Sequence, residues 1–75
     1  MFYILTRDDC PWCDRAMEAL NNRGEAITAF LYLEHPMIVK LMGKADLKTV
    51  PQIWHEGQYV GGYTELLEYL EELDK

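Results

Sequence analysis

Cys10 and Cys13 are the two cysteines of this 75-residue chain, separated by Pro11 and Trp12. Residues three apart on a helix share a face, and that separation accommodates a disulfide when the first cysteine stands at the helix start. Such a pair can open and close with little rearrangement, which is what thiol–disulfide exchange through a mixed disulfide requires. A bridge across so short a loop would add only about 2 kcal/mol by the chain-entropy formula, so a purely structural role fits poorly. At a helix start, Cys10 faces amide N–H groups without partners and the positive end of the helix dipole, both of which favour thiolate over thiol. Cys10 is therefore the expected nucleophile. Cys13, one turn inside and more buried, is the expected resolving thiol.

The neighbours modulate this chemistry. Pro11 suits the first helical position, and Trp12 offers a flat apolar contact at the rim or is simply packed. Arg7 adds positive charge near Cys10, while Asp8, Asp9 and Asp14 oppose it. Zinc is the main rival for any Cys-x-x-Cys. It would have to recruit His35 and His55, which stand far wider apart than the usual three to five residues, so no metal is expected. Both histidines read as surface or packed residues.

A strand must deliver the cysteines and a helix must carry them. Phe2 to Leu5 is an apolar run that reads as a strand buried on both faces. Cys13, Ala16, Met17 and Leu20 then recur at helical spacing, with Gly24 as C-terminal cap. Ala26 to Leu33 reads as a second, parallel strand, closing a βαβ unit. Pro36 permits a short helix across Met37 to Met42. Val50 before Pro51 is pushed extended, Gln52 to His55 and Gln58 to Val60 form a hairpin around Glu56-Gly57, and Thr64 caps a final helix whose apolar stripe is Leu66, Leu67, Leu70 and Leu73. The order is βαβαββα, an α/β arrangement, and residues 1–75 make one domain. A Cys-x-x-Cys inside such a βαβ unit is a redox signature.

Composition narrows the function classes. Hydrophobic residues are 49% and charged residues 27% of the chain, the balance of a folded globular protein. The formal net charge of -6 repels a phosphate backbone, so nucleic acid is not an expected partner. Residues Met1 to Thr6 lack a basic start and a cleavage site and are too few to cross a bilayer, so no export signal and no membrane partner are expected. The acidic run from Glu65 to Asp74 reads as a solvated helix face.

Across nearly its whole length the sequence resembles glutaredoxins, in particular the compact dithiol members of phage and bacteria. The resemblance rests on Tyr3-Ile4-Leu5-Thr6-Arg7 before Cys10-Pro11-Trp12-Cys13, on Thr49-Val50-Pro51-Gln52-Ile53, and on Gly61-Gly62-Tyr63-Thr64-Glu65-Leu66. It departs from the family in Trp12, where tyrosine is commoner, and in Thr64, where many members carry aspartate. The resemblance implies a thioredoxin fold with a four-stranded mixed sheet flanked by helices. It implies glutathione as reducing co-substrate and Cys10–Cys13 as a redox-active disulfide. It also implies a cis Pro51, Val50 offering backbone hydrogen bonds to the cysteinyl part of glutathione, Tyr63 and Thr64 holding the γ-glutamyl end, and Arg7 favouring the glycyl carboxylate. Trp12 and Thr49 complete that glutathione-binding set. The implied partners are disulfide-containing proteins, ribonucleotide reductase among them, for a cytoplasmic monomer. Two alternatives stay open: a donor of the same fold reduced by thioredoxin reductase, and a carrier of a [2Fe–2S] cluster ligated by Cys10 and glutathione, whose geometry Pro11 disfavours.

Overall fold

The computed structural model describes residues 1–37, 40 and 50–74. The chain runs through strand β1 (Phe2–Thr6), helix α1 (Pro11–Asn22), strand β2 (Ile27–Leu31), a 3₁₀ turn (Tyr32–Glu34), strands β3 (Gln52–His55) and β4 (Gln58–Gly61), and helix α2 (Tyr63–Leu73). The sheet order is β2-β1-β3-β4. β1 pairs parallel with β2, from Phe2 opposite Ile27 to Thr6 opposite Leu31, and antiparallel with β3, with Ile4 opposite Ile53. β3 and β4 form an antiparallel hairpin. Four strands, mixed pairing and flanking helices are the thioredoxin fold. Most of the short helix expected across Met37 to Met42 lies outside the described residues, as does Thr49.

Alternation along the strands divides the sheet into two faces. Phe2, Ile4 and Ile53 point to the face that meets Ala16 and Leu20 of α1 and Leu66 and Leu70 of α2, and together these seven form the core. Both helices therefore lie on one side of the sheet. His55 continues this face: its ring stacks on Phe2 at 4.0 Å and its Nδ1 lies 2.6 Å from the Tyr69 hydroxyl. That contact gives His55 a packing role. On the other face Leu5 is fully buried, whereas Tyr3 is 40% exposed, so the expectation of a strand covered on both faces holds at Leu5 and fails at Tyr3.

Local chemistry sets the element boundaries: the second strand is shorter than the Ala26 to Leu33 expected, while the Gly24 cap and the Glu56-Gly57 turn fall where the sequence puts them. The second strand stops at Leu31 because the chain tightens into the 3₁₀ turn at Tyr32, where the His35 N–H donates to the Tyr32 carbonyl. Helix α1 ends where Gly24 takes a positive φ of 73° and its N–H donates to the Asn21 carbonyl, as a left-handed cap does. Glu56 and Gly57 both have positive φ, at 51° and 81°, which is the backbone of a two-residue hairpin turn whose twist matches the strands. Among the described residues no helix is long and apolar enough to cross a membrane.

The far ends of the helices are tied together. Arg23, at the end of α1, donates to Asp74, at the end of α2, over 2.7 Å. That bond and the guanidinium charge hold the Asp74 carboxyl below its usual range. The pair's contribution is therefore present above the unfolded-state value of Asp74 and falls as pH drops through the folded-state value. Being exposed, it is weak and screened by salt.

The expected apolar stripe of α2 is narrower than four leucines. Leu66 and Leu70, four apart, share the buried face; Leu67, one position round from it, is 43% exposed, and Leu73, on that face but at the last residue of the helix, is 47% exposed. Leu66→Ala should accordingly destabilise the fold by about 2–5 kcal/mol. Leu67→Ala should change stability by no more than about 0.5 kcal/mol, both read from urea unfolding followed by circular dichroism.

Candidate active site

β1 ends at Thr6, and the chain turns through Asp8 and Asp9 to reach Cys10. Asp9 adopts φ of 60°, a left-handed conformation that a short polar side chain tolerates better than a branched one. Cys10 is extended, at φ -120° and ψ 95°, and is the N-cap of α1. Its sulfur accepts the Cys13 N–H at 3.2 Å, taking the place that a serine or aspartate oxygen usually fills. Its carbonyl accepts the Asp14 N–H at 3.1 Å, the first bond of the helix. Pro11 follows at the position where a missing N–H costs nothing.

Cys10 and Cys13 are joined by a disulfide, with their Cα atoms 5.2 Å apart. Cys10 is 5% exposed and Cys13 1%, so the outer sulfur is the one at the helix start. The Cys10 sulfur also lies 4.0 Å from the Val50 carbonyl oxygen, which brings the segment before β3 against the cysteines. The Val50–Pro51 peptide bond is cis, as the resemblance implied.

A groove of about 240 Å³ opens here. It is lined by Trp12 of α1, by Val50 and Pro51 ahead of β3, and by Gly62, Tyr63, Thr64 and Glu65 at the start of α2. Ligand pockets that enclose a drug-sized molecule run to about 300–1,000 Å³, so this groove is smaller than those. The Trp12 ring, 53% exposed, stands 5.6 Å from the Tyr63 ring, and the Arg15 guanidinium lies 4.8 Å over it. Of the residues singled out in the sequence, Trp12, Val50, Pro51, Tyr63 and Thr64 thus meet in one groove beside Cys10. Arg7 is exposed just beyond β1 and is not among the residues lining it. Among the described residues no group of three histidine, cysteine, aspartate or glutamate side chains is placed to hold a metal ion.

The start of α2 corrects one expectation. The N-cap is Gly62, not Thr64, which lies exposed in the first turn. Glu65, at the third helical position, accepts the Gly62 N–H at 3.4 Å, half of a capping box that needs no side chain on Gly62. Glu65 lines the groove and was missed as a site residue. The spacing of Gly62 to Glu65, a cap followed three residues later by glutamate, is the signal that could have found it. Its negative charge reaches Tyr59, whose phenol is pushed up first by burial and then by Glu65. The Tyr59 hydroxyl donates to Gln52 Oε1, a bond that only the neutral phenol can make.

A sheet of this topology with a dithiol at the first helix start defines a thioredoxin-fold redox protein. The glutaredoxin family model matches residues 2–60, so the chain belongs to the glutaredoxin family and is a thiol–disulfide oxidoreductase of that type. It is 30% identical to glutaredoxin 1 of Escherichia coli over 77 aligned positions, covering 92% of this chain and 91% of that protein. It is 29% identical to the hybrid peroxiredoxin hyPrx5 of Haemophilus influenzae, spanning 88% of this chain but only 27% of that protein's length. The solution structure of a Brucella melitensis glutaredoxin superposes with TM-score 0.79 at 29% identity, over 97% of this chain and 83% of that one. Two others share the fold: a buckwheat glutaredoxin–glutathione complex, with TM-score 0.80 at 17% identity over 95% and 68% of the chains, and the NrdH-redoxin of Escherichia coli, described as a glutaredoxin-like protein with a thioredoxin-like activity profile, with TM-score 0.81 at 19% identity over 96% and 92%.

Gly61 fixes where α2 starts. Its φ is 126°, and a Cβ there would lie 2.8 Å from Glu65 Cβ and 2.9 Å from Glu65 Cγ. Gly61→Ala should therefore cost about 1–3 kcal/mol in urea unfolding, and more than Gly24→Ala, where the φ is also positive but the space is open.

Proposed function

We propose that this protein reduces protein disulfides and glutathione mixed disulfides, with Cys10 as nucleophile, Cys13 as resolving cysteine and glutathione as electron source. The observation that supports it most directly is the Cys10 sulfur held on a helix N–H beside an open groove. The reduced Cys10 thiolate attacks one sulfur of the target disulfide and the other leaves as thiolate, which takes up a proton. Cys13 then loses its proton and attacks the Cys10 sulfur, releasing the second target thiol and forming the Cys10–Cys13 disulfide. One glutathione thiolate opens that disulfide at Cys10, and a second attacks the resulting mixed disulfide. The net change is two glutathiones oxidised to glutathione disulfide for each target disulfide reduced.

In this reading the groove takes glutathione in extended form. Val50 offers its backbone to the cysteinyl part, Trp12 packs against it, and the N–H groups beginning α2 at Tyr63 and Thr64 receive the γ-glutamyl carboxylate. Thr49 and Arg7 extend the set, Arg7 toward the glycyl carboxylate. The physiological setting is a cytoplasmic monomer acting on disulfide proteins such as ribonucleotide reductase.

A second reading, reduction by thioredoxin reductase, is favoured by the groove's charge. Its described lining includes the Glu65 carboxylate and no lysine or arginine, which suits poorly a ligand bearing two carboxylates. NADPH consumption with a glutathione-capped disulfide separates the two. Turnover is expected with glutathione and glutathione reductase; turnover with thioredoxin reductase alone would replace the first reading by the second. Cys10→Ser should abolish turnover, whereas Cys13→Ser should retain reduction of glutathione mixed disulfides, which needs a single thiolate. Residual activity in Cys10→Ser would overturn the roles assigned to the pair.

A further inference from the structure

Trp12 is the most exposed aromatic side chain of the site, more than half open to solvent, and yet it lines the groove. A ring so placed on the first turn of a helix has several rotamers open to it unless something holds it. Two contacts do so. Tyr63 meets it from the start of α2, with ring centroids 5.6 Å apart and planes tilted by 40°. Arg15, one turn along α1, lays its guanidinium over the ring with Cζ 4.8 Å from the centroid. Arg15 does not itself line the groove. Residues 12 and 15 are three apart and so share a helix face, and an arginine is better suited than a lysine to this contact because its planar head stacks as well as attracting the ring electrons.

We propose that Arg15 is a positioning residue for substrate binding: it holds the Trp12 ring toward Tyr63 and so sets the shape of the groove beside Cys10. The inference deepens the proposed function, since it rests on the groove being the place where the substrate's chain lies, but it does not depend on which reductant serves the protein. A cation–ring contact at an exposed site is worth enough to change affinity about two- to fivefold. Because Arg15 reaches the groove only through the Trp12 ring and is not among the residues lining it, its loss should appear in binding and leave the chemical step alone.

The test uses full-length protein with Trp54→Phe, so that Trp12 is the only tryptophan, and compares Arg15, Arg15→Met and Arg15→Lys. Methionine keeps an apolar stem of similar reach without the charge, and lysine keeps the charge without the plane. Arg15→Met should raise KM for a glutathione-capped disulfide about two- to fivefold with kcat unchanged, and should make Trp12 fluorescence more readily quenched by acrylamide. Arg15→Lys should recover part of both. Unchanged quenching in Arg15→Met would overturn the inference, as would increased quenching with an unchanged KM, because the ring would then be held without consequence for the groove. Arg15→Met and Arg15→Lys both matching the unsubstituted protein would also overturn it, by assigning the contact to the stem. Should the unsubstituted protein turn over only with thioredoxin reductase, the glutathione reading fails, and the same KM comparison on that reductase's assay with a protein disulfide decides the role of Arg15 by the same criteria.

Discussion

A helix that begins at Pro11 leaves the amide N–H groups of its first turn without intrahelical partners, and one of these, on Cys13, donates to the Cys10 sulfur at 3.2 Å. The same hydrogen bond that finishes the helix is the one that would hold charge on the sulfur once the disulfide opens. Structural capping and the proposed activation of Cys10 are therefore a single arrangement. Its geometry depends on elements on both sides: β1 must end in time for the Asp8–Asp9 turn to bring Cys10 in extended, and α1 must be anchored through Ala16 and Leu20 so that its first turn does not fray.

The second half of the chain meets this sulfur from the opposite side. β3 pairs with β1 antiparallel, which carries the Val50–Pro51 segment to the end of the sheet where Cys10 stands, and the Val50 carbonyl oxygen arrives 4.0 Å from the sulfur. The hairpin then returns through β4 to Gly61, whose left-handed backbone and missing side chain let α2 start hard against the strand. Leu66 and Leu70 fasten that helix to the same core that fastens α1. Two helix starts, one bearing the Cys10 sulfur and one lining the groove, are thus set on one side of a single sheet, with Trp12 and Tyr63 in ring contact between them.

Much of this could be read from residue types. The Cys-Pro-Trp-Cys run, the glycine that stops α1 and the Glu56-Gly57 turn are each set by short-range chemistry, and the structure follows them closely. What could not be read depends on contacts between distant residues. Whether Leu67 or Tyr3 is covered is decided by which elements reach it, and the leucine-rich pattern of α2 admitted a wider buried face than packing uses. The helix start moved from Thr64 to Gly62 because Glu65 reaches back to the Gly62 N–H, a local signal that threonine's own capping preference masked. The cis state of Pro51 followed from family resemblance alone, and the Arg15–Trp12–Tyr63 row requires two helices to be placed before it exists.

The claim on which everything else turns is that the helix start makes Cys10, and not Cys13, the reactive sulfur. The direct measurement is alkylation of the fully reduced protein by substoichiometric iodoacetamide at neutral pH, with the modified residue located by peptide mass analysis. The account predicts that the first label is found on Cys10, with Cys13 modified only later. Label appearing first on Cys13, or equally on both, would contradict it.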